Sequence, residues 1–182
     1  MEASYIISQI LVIIAYIICG FGFLQKKRIH ILIYSSIFNV LMLFQYLILN
    51  ASMGVIANSI NIIRNIIFIY NIKKSKSNSK FILFIFICST IILTAFFYKT
   101  PLDIFPCCIA LLGTFSYWIS NTKFLRIANI FCSICYIIYA FPIKSYITII
   151  AETYLIITTL IGYIRYEKKN KYLKLDCPKN NI

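Results

Sequence analysis

The sequence predicts an all-α, polytopic membrane bundle of seven transmembrane helices in a three-plus-one-plus-three order, with the amino terminus outside and the carboxyl terminus cytoplasmic. Composition is the first reason: of 182 residues 61% are apolar and only 13% charged, with a mean hydropathy of +0.86. A water-soluble domain carries roughly 25% charged residues, so most of this surface must face lipid. The second reason is that the chain divides into apolar runs near the ~20 residues a helix needs to cross the hydrocarbon core. The third is where lysine and arginine fall between those runs.

The first run, 4–23, is preceded by Glu2 and followed by Lys26, Lys27 and Arg28. A signal peptide carries its positive charge ahead of the apolar stretch, so this run is expected to stay as a membrane helix. The second, 31–49, follows His30 and carries Asn39 and Gln45; the third, 54–72, holds a polar stripe; the fourth, 81–98, follows Lys73, Lys74, Lys76 and Lys80. The fifth, 104–119, starts near Pro101, Asp103 and Pro106 and ends at Trp118; the sixth, 124–141, follows Lys123 and carries Asn129; the seventh, 145–163, follows Pro142 and contains Glu152. Proline suits the first turn of a helix, where its missing N–H is no loss. Residues 1–164 thus form one transmembrane domain, with triple-helix units at 4–72 and 104–163 joined by 81–98, and 165–182 form a basic cytoplasmic tail.

With the amino terminus outside, the inward segments hold fifteen basic residues: Lys26, Lys27, Arg28, Lys73, Lys74, Lys76, Lys80, Lys123, Arg126, Arg165, Lys168, Lys169, Lys171, Lys174 and Lys179. The outward side keeps Lys99 and Lys144. Such asymmetry is the positive-inside signature, and a miscounted helix would scramble it. The net charge of +13 therefore reads as topology and as contact with anionic lipid headgroups, and nucleic acid is not expected as a partner.

Catalytic constellations lack parts. The chain has one His, His30, and five acids, Glu2, Asp103, Glu152, Glu167 and Asp176, of which Glu152 alone lies within an apolar run. Triads, zinc sites and paired-carboxylate mechanisms need convergent His, Asp or Glu, so neither an enzyme nor a cofactor or metal is expected. The vicinal Cys107 and Cys108 and the Cys132-x-x-Cys135 spacing would be thiol-exchange sites in a redox protein. In apolar helices free cysteines act as small hydrophobes, and packing is the preferred reading.

The third helix carries the most informative stretch, Asn58-Ser59-Ile60-Asn61-Ile62-Ile63-Arg64-Asn65. Spacings of three and four put Asn58, Asn61, Arg64 and Asn65 along one face. At 1.5 Å per residue Arg64 is about 15 Å from Gly54 and about 13 Å from Lys73, too deep to snorkel readily. An arginine there costs about 2.5–3.5 kcal/mol on insertion scales and should face the bundle interior. Glu152, at a depth within roughly one helical turn of Arg64, is the candidate partner. Asn39, Gln45 and Asn129 are expected as interhelical hydrogen-bond partners, each worth about 0.6 kcal/mol. Trp118 is placed among the candidate pathway residues, although an interfacial belt position is its simpler reading.

Two triplets, each with a basic first loop and a nearly uncharged second one, flank the fourth helix. A shift of 94 residues lays Ile56-Ala57-Asn58 on Ile150-Ala151-Glu152. A helix between two triplets gives them parallel orientation, as in parallel-repeat carriers.

Ala57-Asn58, Asn61-Ile62-Ile63-Arg64, Pro106 through Gly113-Thr114 to Trp118, Leu125-Arg126, and Glu152 followed by Arg165 together resemble the YgjV-like family of small bacterial inner-membrane proteins. The family is distantly similar to the triple-helix-bundle carriers, namely SWEET sugar carriers and nicotinamide riboside transporters. The resemblance implies a multi-pass location in the bacterial inner membrane and a transporter ancestry; the Pro-Gln loop of many SWEET relatives is missing here. The expected function is a small-solute transporter or permease, with Asn58, Asn61, Arg64, Glu152 and Trp118 as candidate site or pathway residues. Membrane lipid, an unidentified small solute and a second copy of the chain are the expected partners. The rival expectation is a noncatalytic membrane interaction protein whose intramembrane polar residues hold helices together.

Overall fold

Apolar runs of this length leave the backbone one way to satisfy its hydrogen bonds in lipid without a closed barrel, which is the helix. The computed structural model of the chain, which describes residues 2–76, 78–98, 104–142 and 146–168, is accordingly helical throughout. Its helices are α1 (Glu2–Phe23), α2 (Arg28–Ile48), α3 (Ser52–Lys73), α4 (Lys80–Phe97), α5 (Ile104–Trp118), α6 (Thr122–Ala140) and α7 (Tyr146–Tyr163), with a π-helical turn at Ile164–Lys168.

Among the described residues, six of the seven helices are long and apolar enough to cross a membrane. The exception is α5, whose 15 described residues extend about 22 Å, less than a ~30 Å hydrocarbon core. Its final carbonyl, on Trp118, accepts a hydrogen bond from the Asn78 side chain at 2.8 Å instead of serving a further helical turn. Lys99, Asp103, Pro101 and Lys144, together with the basic tail beyond Lys168, lie outside the described residues.

Each helix packs on its neighbour in sequence, and α7 returns onto α1. Two glycines permit that closing contact. The Tyr154 ring of α7 lies directly over Gly20 of α1, and the Phe23 carbonyl of α1 lies over Gly162 of α7, so a Cβ at either position would collide. α4 is the most peripheral helix: it buries only Phe86, whose ring meets Phe68 of α3 edge-on at 6.4 Å.

The distribution of side chains inverts that of a soluble protein. Among the described residues, fifteen polar or charged side chains are buried against fourteen apolar ones, while Phe81, Phe96 and Ile150 are at least 70% exposed. Lipid is the solvent that makes such an arrangement stable, because polar groups then gain most by turning inward. Two connections end on left-handed residues, Asn50 and Ser75, each at φ 53°. In both, the next residue's N–H returns to the helix, Ala51 to Tyr46 O and Lys76 to Asn71 O, each at 2.9 Å, which caps the free carbonyls of α2 and α3.

Candidate functional site

Arg64 follows Ser52 by twelve residues and precedes Lys73 by nine, which places it about 18 Å and 13 Å from the two ends of α3. It is 4% exposed. Its Nη1 donates to Thr114 Oγ1 of α5 at 2.9 Å, and Nη2 and Nε donate to Asn65 Oδ1 at 3.1 and 3.3 Å. The guanidinium also lies over the Tyr117 ring, 4.9 Å from its centroid, a cation–π geometry. Asn65 Nδ2 and the Tyr117 hydroxyl converge on Ser35 Oγ of α2 at 3.2 and 3.1 Å. Three helices therefore hold one buried cation, and each partner named is neutral.

Glu152, 3% exposed on α7, accepts a hydrogen bond from the Tyr16 hydroxyl of α1 at 2.9 Å, and the Ser133 hydroxyl of α6 also lies within bonding reach. The expected Arg64–Glu152 pair is not formed: among the described residues the ion pair is Arg126–Glu167. The reason is azimuth. Depth along a helix follows from residue rise, but Arg64 turns toward α2 and α5 whereas Glu152 turns toward α1 and α6. A small cavity of about 30 Å³, bounded by α1, α5 and α6, reaches from Tyr117 to Cys132, enough for a water molecule.

The other predicted positions divide. Asn58 is buried, but its Nδ2 bonds the Gly54 carbonyl of its own helix at 2.8 Å, and Asn61 is half-buried; Asn65 joins Arg64 instead. Trp118 stands outside the cluster, donating to the Asn78 carbonyl at 3.2 Å and stacking on Phe115 at 6.0 Å, which ties the end of α5 to the α3–α4 connection. Asn129 bridges α6 to α7 as expected, bonding Thr159 Oγ1 at 3.0 Å. Asn39 instead serves the Ser35 carbonyl within α2 at 2.7 Å, and the Gln45 Oε1 is buried without a partner among the described residues. Cys107, Cys108, Cys132 and Cys135 are free thiols, and among the described residues no three His, Cys, Asp or Glu converge as metal ligands.

Sequence reading missed Ser35, Tyr117, Tyr16 and Ser133. Hydroxyl side chains are ordinary in membrane helices, where they bond the preceding turn, as Ser36, Ser89 and Thr94 do here, so their presence carries no signal.

No curated protein and no solved structure matches the chain. A family model described as a bacterial inner membrane protein does match, over residues 6–170, and those residues contain both charged clusters and all seven helices but for the first residues of α1. With a membrane-spanning composition, an inverted interior and this match in hand, the chain belongs to the Imp-YgjV family of bacterial inner membrane proteins.

Proposed function

We propose that this protein is a small-solute transporter or permease, without catalytic activity, that recognises an anionic or polyhydroxylated solute through Arg64. One observation carries the reading. Arg64 is buried at mid-depth with neutral partners only, and an intramembrane cation of that kind ordinarily marks a solute or ion route. Thr114, Asn65 and Tyr117 fix the guanidinium without neutralising it, so a ligand that brings a carboxylate, a phosphate or several hydroxyls gains its donors. Glu152, held by Tyr16 across the bundle, supplies the second charge that a cycle of alternating access can load with a proton or a solute cation. The likeness to triple-helix-bundle carriers, the outside amino terminus, the contacts with lipid and self-association belong to this same reading.

The test is uptake by purified protein in vesicles, scored against sugars, nucleosides and small organic anions, with Arg64→Ala as comparison. A solute moved by wild type and not by a folded Arg64→Ala supports the proposal. If no solute class moves and the variant is merely unstable, the polar residues are structural. The hydrogen-bonded completeness of the Arg64 cluster is the observation that favours this second reading, a noncatalytic interaction protein.

A further inference from the structure

Two other arginines lie where the lysine-rich loops meet the bundle. Arg28 opens α2, the second helix of the first triplet. Its Nη2 donates to the Tyr117 carbonyl at the end of α5 and its Nη1 to Ser120 Oγ at 3.3 Å. Arg126 lies one turn into α6, the second helix of the second triplet. Its Nη2 donates to the Gln25 carbonyl just beyond α1, at 2.7 Å. The contacts are reciprocal: the second helix of each triplet reaches the carbonyl end of the first helix of the other. Arginine at a helix's carbonyl end satisfies free acceptors and opposes the negative end of the dipole.

We propose that Arg28 and Arg126 form a reciprocal latch that shuts the lysine-rich end of the bundle, with Glu167 holding it closed. Three features fit a joint that opens. First, among the described residues the Nε of each arginine is buried without a partner, so parting the latch hydrates two donors and offsets part of what breaking it loses. Second, Arg126, itself 0% exposed, is gripped at 2.7 Å by Glu167, which also accepts from Thr122 at 2.9 Å and sits on the π-helical turn beyond α7, with its side chain 20% exposed. The clasp is therefore at the rim, where water reaches it. Third, a Cβ on Gly162 would collide with the Phe23 carbonyl and crowd Arg126 Nε, so glycine at that position lets α1 and α7 close tightly beside the latch. Behind the latch, Phe23 and Leu125 line the same small cavity as Cys132.

As a gate, the latch rests on the transport reading for its purpose; its existence is tested separately. Full-length protein in membrane vesicles of each orientation is treated with a membrane-impermeant maleimide, and modification of the native Cys132, 8% exposed, is followed by peptide mass spectrometry. Arg28→Ala, Arg126→Ala and Glu167→Gln are expected to speed labelling about tenfold, as local opening does, and only from the lysine-rich face. Arg165→Ala, which leaves both carbonyl contacts intact, is expected to label as wild type does. Unchanged labelling in the three variants overturns the latch, and so does a rise from both faces or in Arg165→Ala, which would mean general loosening. If the alanine variants do not accumulate, Arg28→Lys and the rim variant Glu167→Gln make the same comparison. Latch-dependent labelling in a protein that moves no solute leaves the latch and sinks the transport reading; uptake with unchanged labelling does the reverse.

Discussion

Replacing Arg64 by lysine isolates geometry from charge. The two side chains cost nearly the same to insert at mid-membrane, about 2.5–3.5 kcal/mol, so that term nearly cancels between folded and unfolded references and only the contacts differ. The guanidinium makes three hydrogen bonds, one to Thr114 and two to Asn65, and lies over Tyr117. A lysine ammonium is a point donor on a flexible stem and can keep one of these directions. Two lost intramembrane bonds amount to about 1.2 kcal/mol, and a weakened cation–π contact adds about 0.5 kcal/mol. Arg64→Lys should therefore fold, less stably by about 1.5–2 kcal/mol, while binding suffers separately because a planar fork for an oxyanion is gone. The assay pairs reversible unfolding in lipid-like micelles with uptake at matched amounts of folded protein. Uptake at the wild-type rate in Arg64→Lys would refute recognition by the guanidinium fork, and loss of the fold altogether would show that the contacts are worth several times what membrane hydrogen bonds supply.

Ser35→Ala removes the acceptor shared by Asn65 and Tyr117; it should cost about 1–2 kcal/mol of stability, and a double-mutant cycle with Tyr117→Phe should return a coupling of about 0.6 kcal/mol in the same unfolding assay. Gly162→Ala should wedge α7 from α1 at the Phe23 carbonyl and lower stability by roughly 1–3 kcal/mol, as overpacking does, with a thermal melt as the check and an unchanged melting temperature as the contrary result. Tyr16→Phe takes a donor from the buried Glu152. A loss of about 1.5–3 kcal/mol is expected if that bond serves a charged acceptor, against about 0.6 kcal/mol for a neutral one, and the measured value tells the two apart.

The helices were legible because lipid imposes a length on apolar runs and because lysine and arginine punctuate them. The expected spans at 31–49 and 81–98 differ from α2 (Arg28–Ile48) and α4 (Lys80–Phe97) by no more than three residues at any end. Arg64 and Glu152 were legible as interior groups for the same reason: lipid excludes charge, so each turns inward whatever its partner. Their partners were not legible. Which way a residue faces within a bundle depends on how each helix is rotated and tilted against its neighbours, and a run of isoleucines on α3 constrains that rotation only weakly. The partners are also hydroxyls and ring faces, which have no distinctive spacing. Asn58 and Asn61 share a face with Arg64 by periodicity, yet Asn58 turns back to its own helix, because an exposed carbonyl one turn away competes with any partner across the bundle. Arg126 was visible as a residue, and its role was hidden because the acceptor is a backbone carbonyl 101 positions away.

Keeping Arg64 and Glu152 apart has a consequence for how a solute would bind. An ion pair at 4 Å in a medium of effective dielectric 20 attracts by about 4 kcal/mol, and a ligand that had to break it would forfeit that much affinity, nearly a thousandfold. Here the cation is held by Thr114, Asn65 and Tyr117 and the Glu152 carboxyl by Tyr16, with neutral groups that a charged ligand can join or displace at a smaller loss. Neutral holders also leave the two groups free to change partners independently, one through α3 and α5 and the other through α1 and α7. On the transport reading, recognition then belongs to the middle of the bundle, at Arg64, and closure to the lysine-rich end, where Arg126 pairs with Glu167.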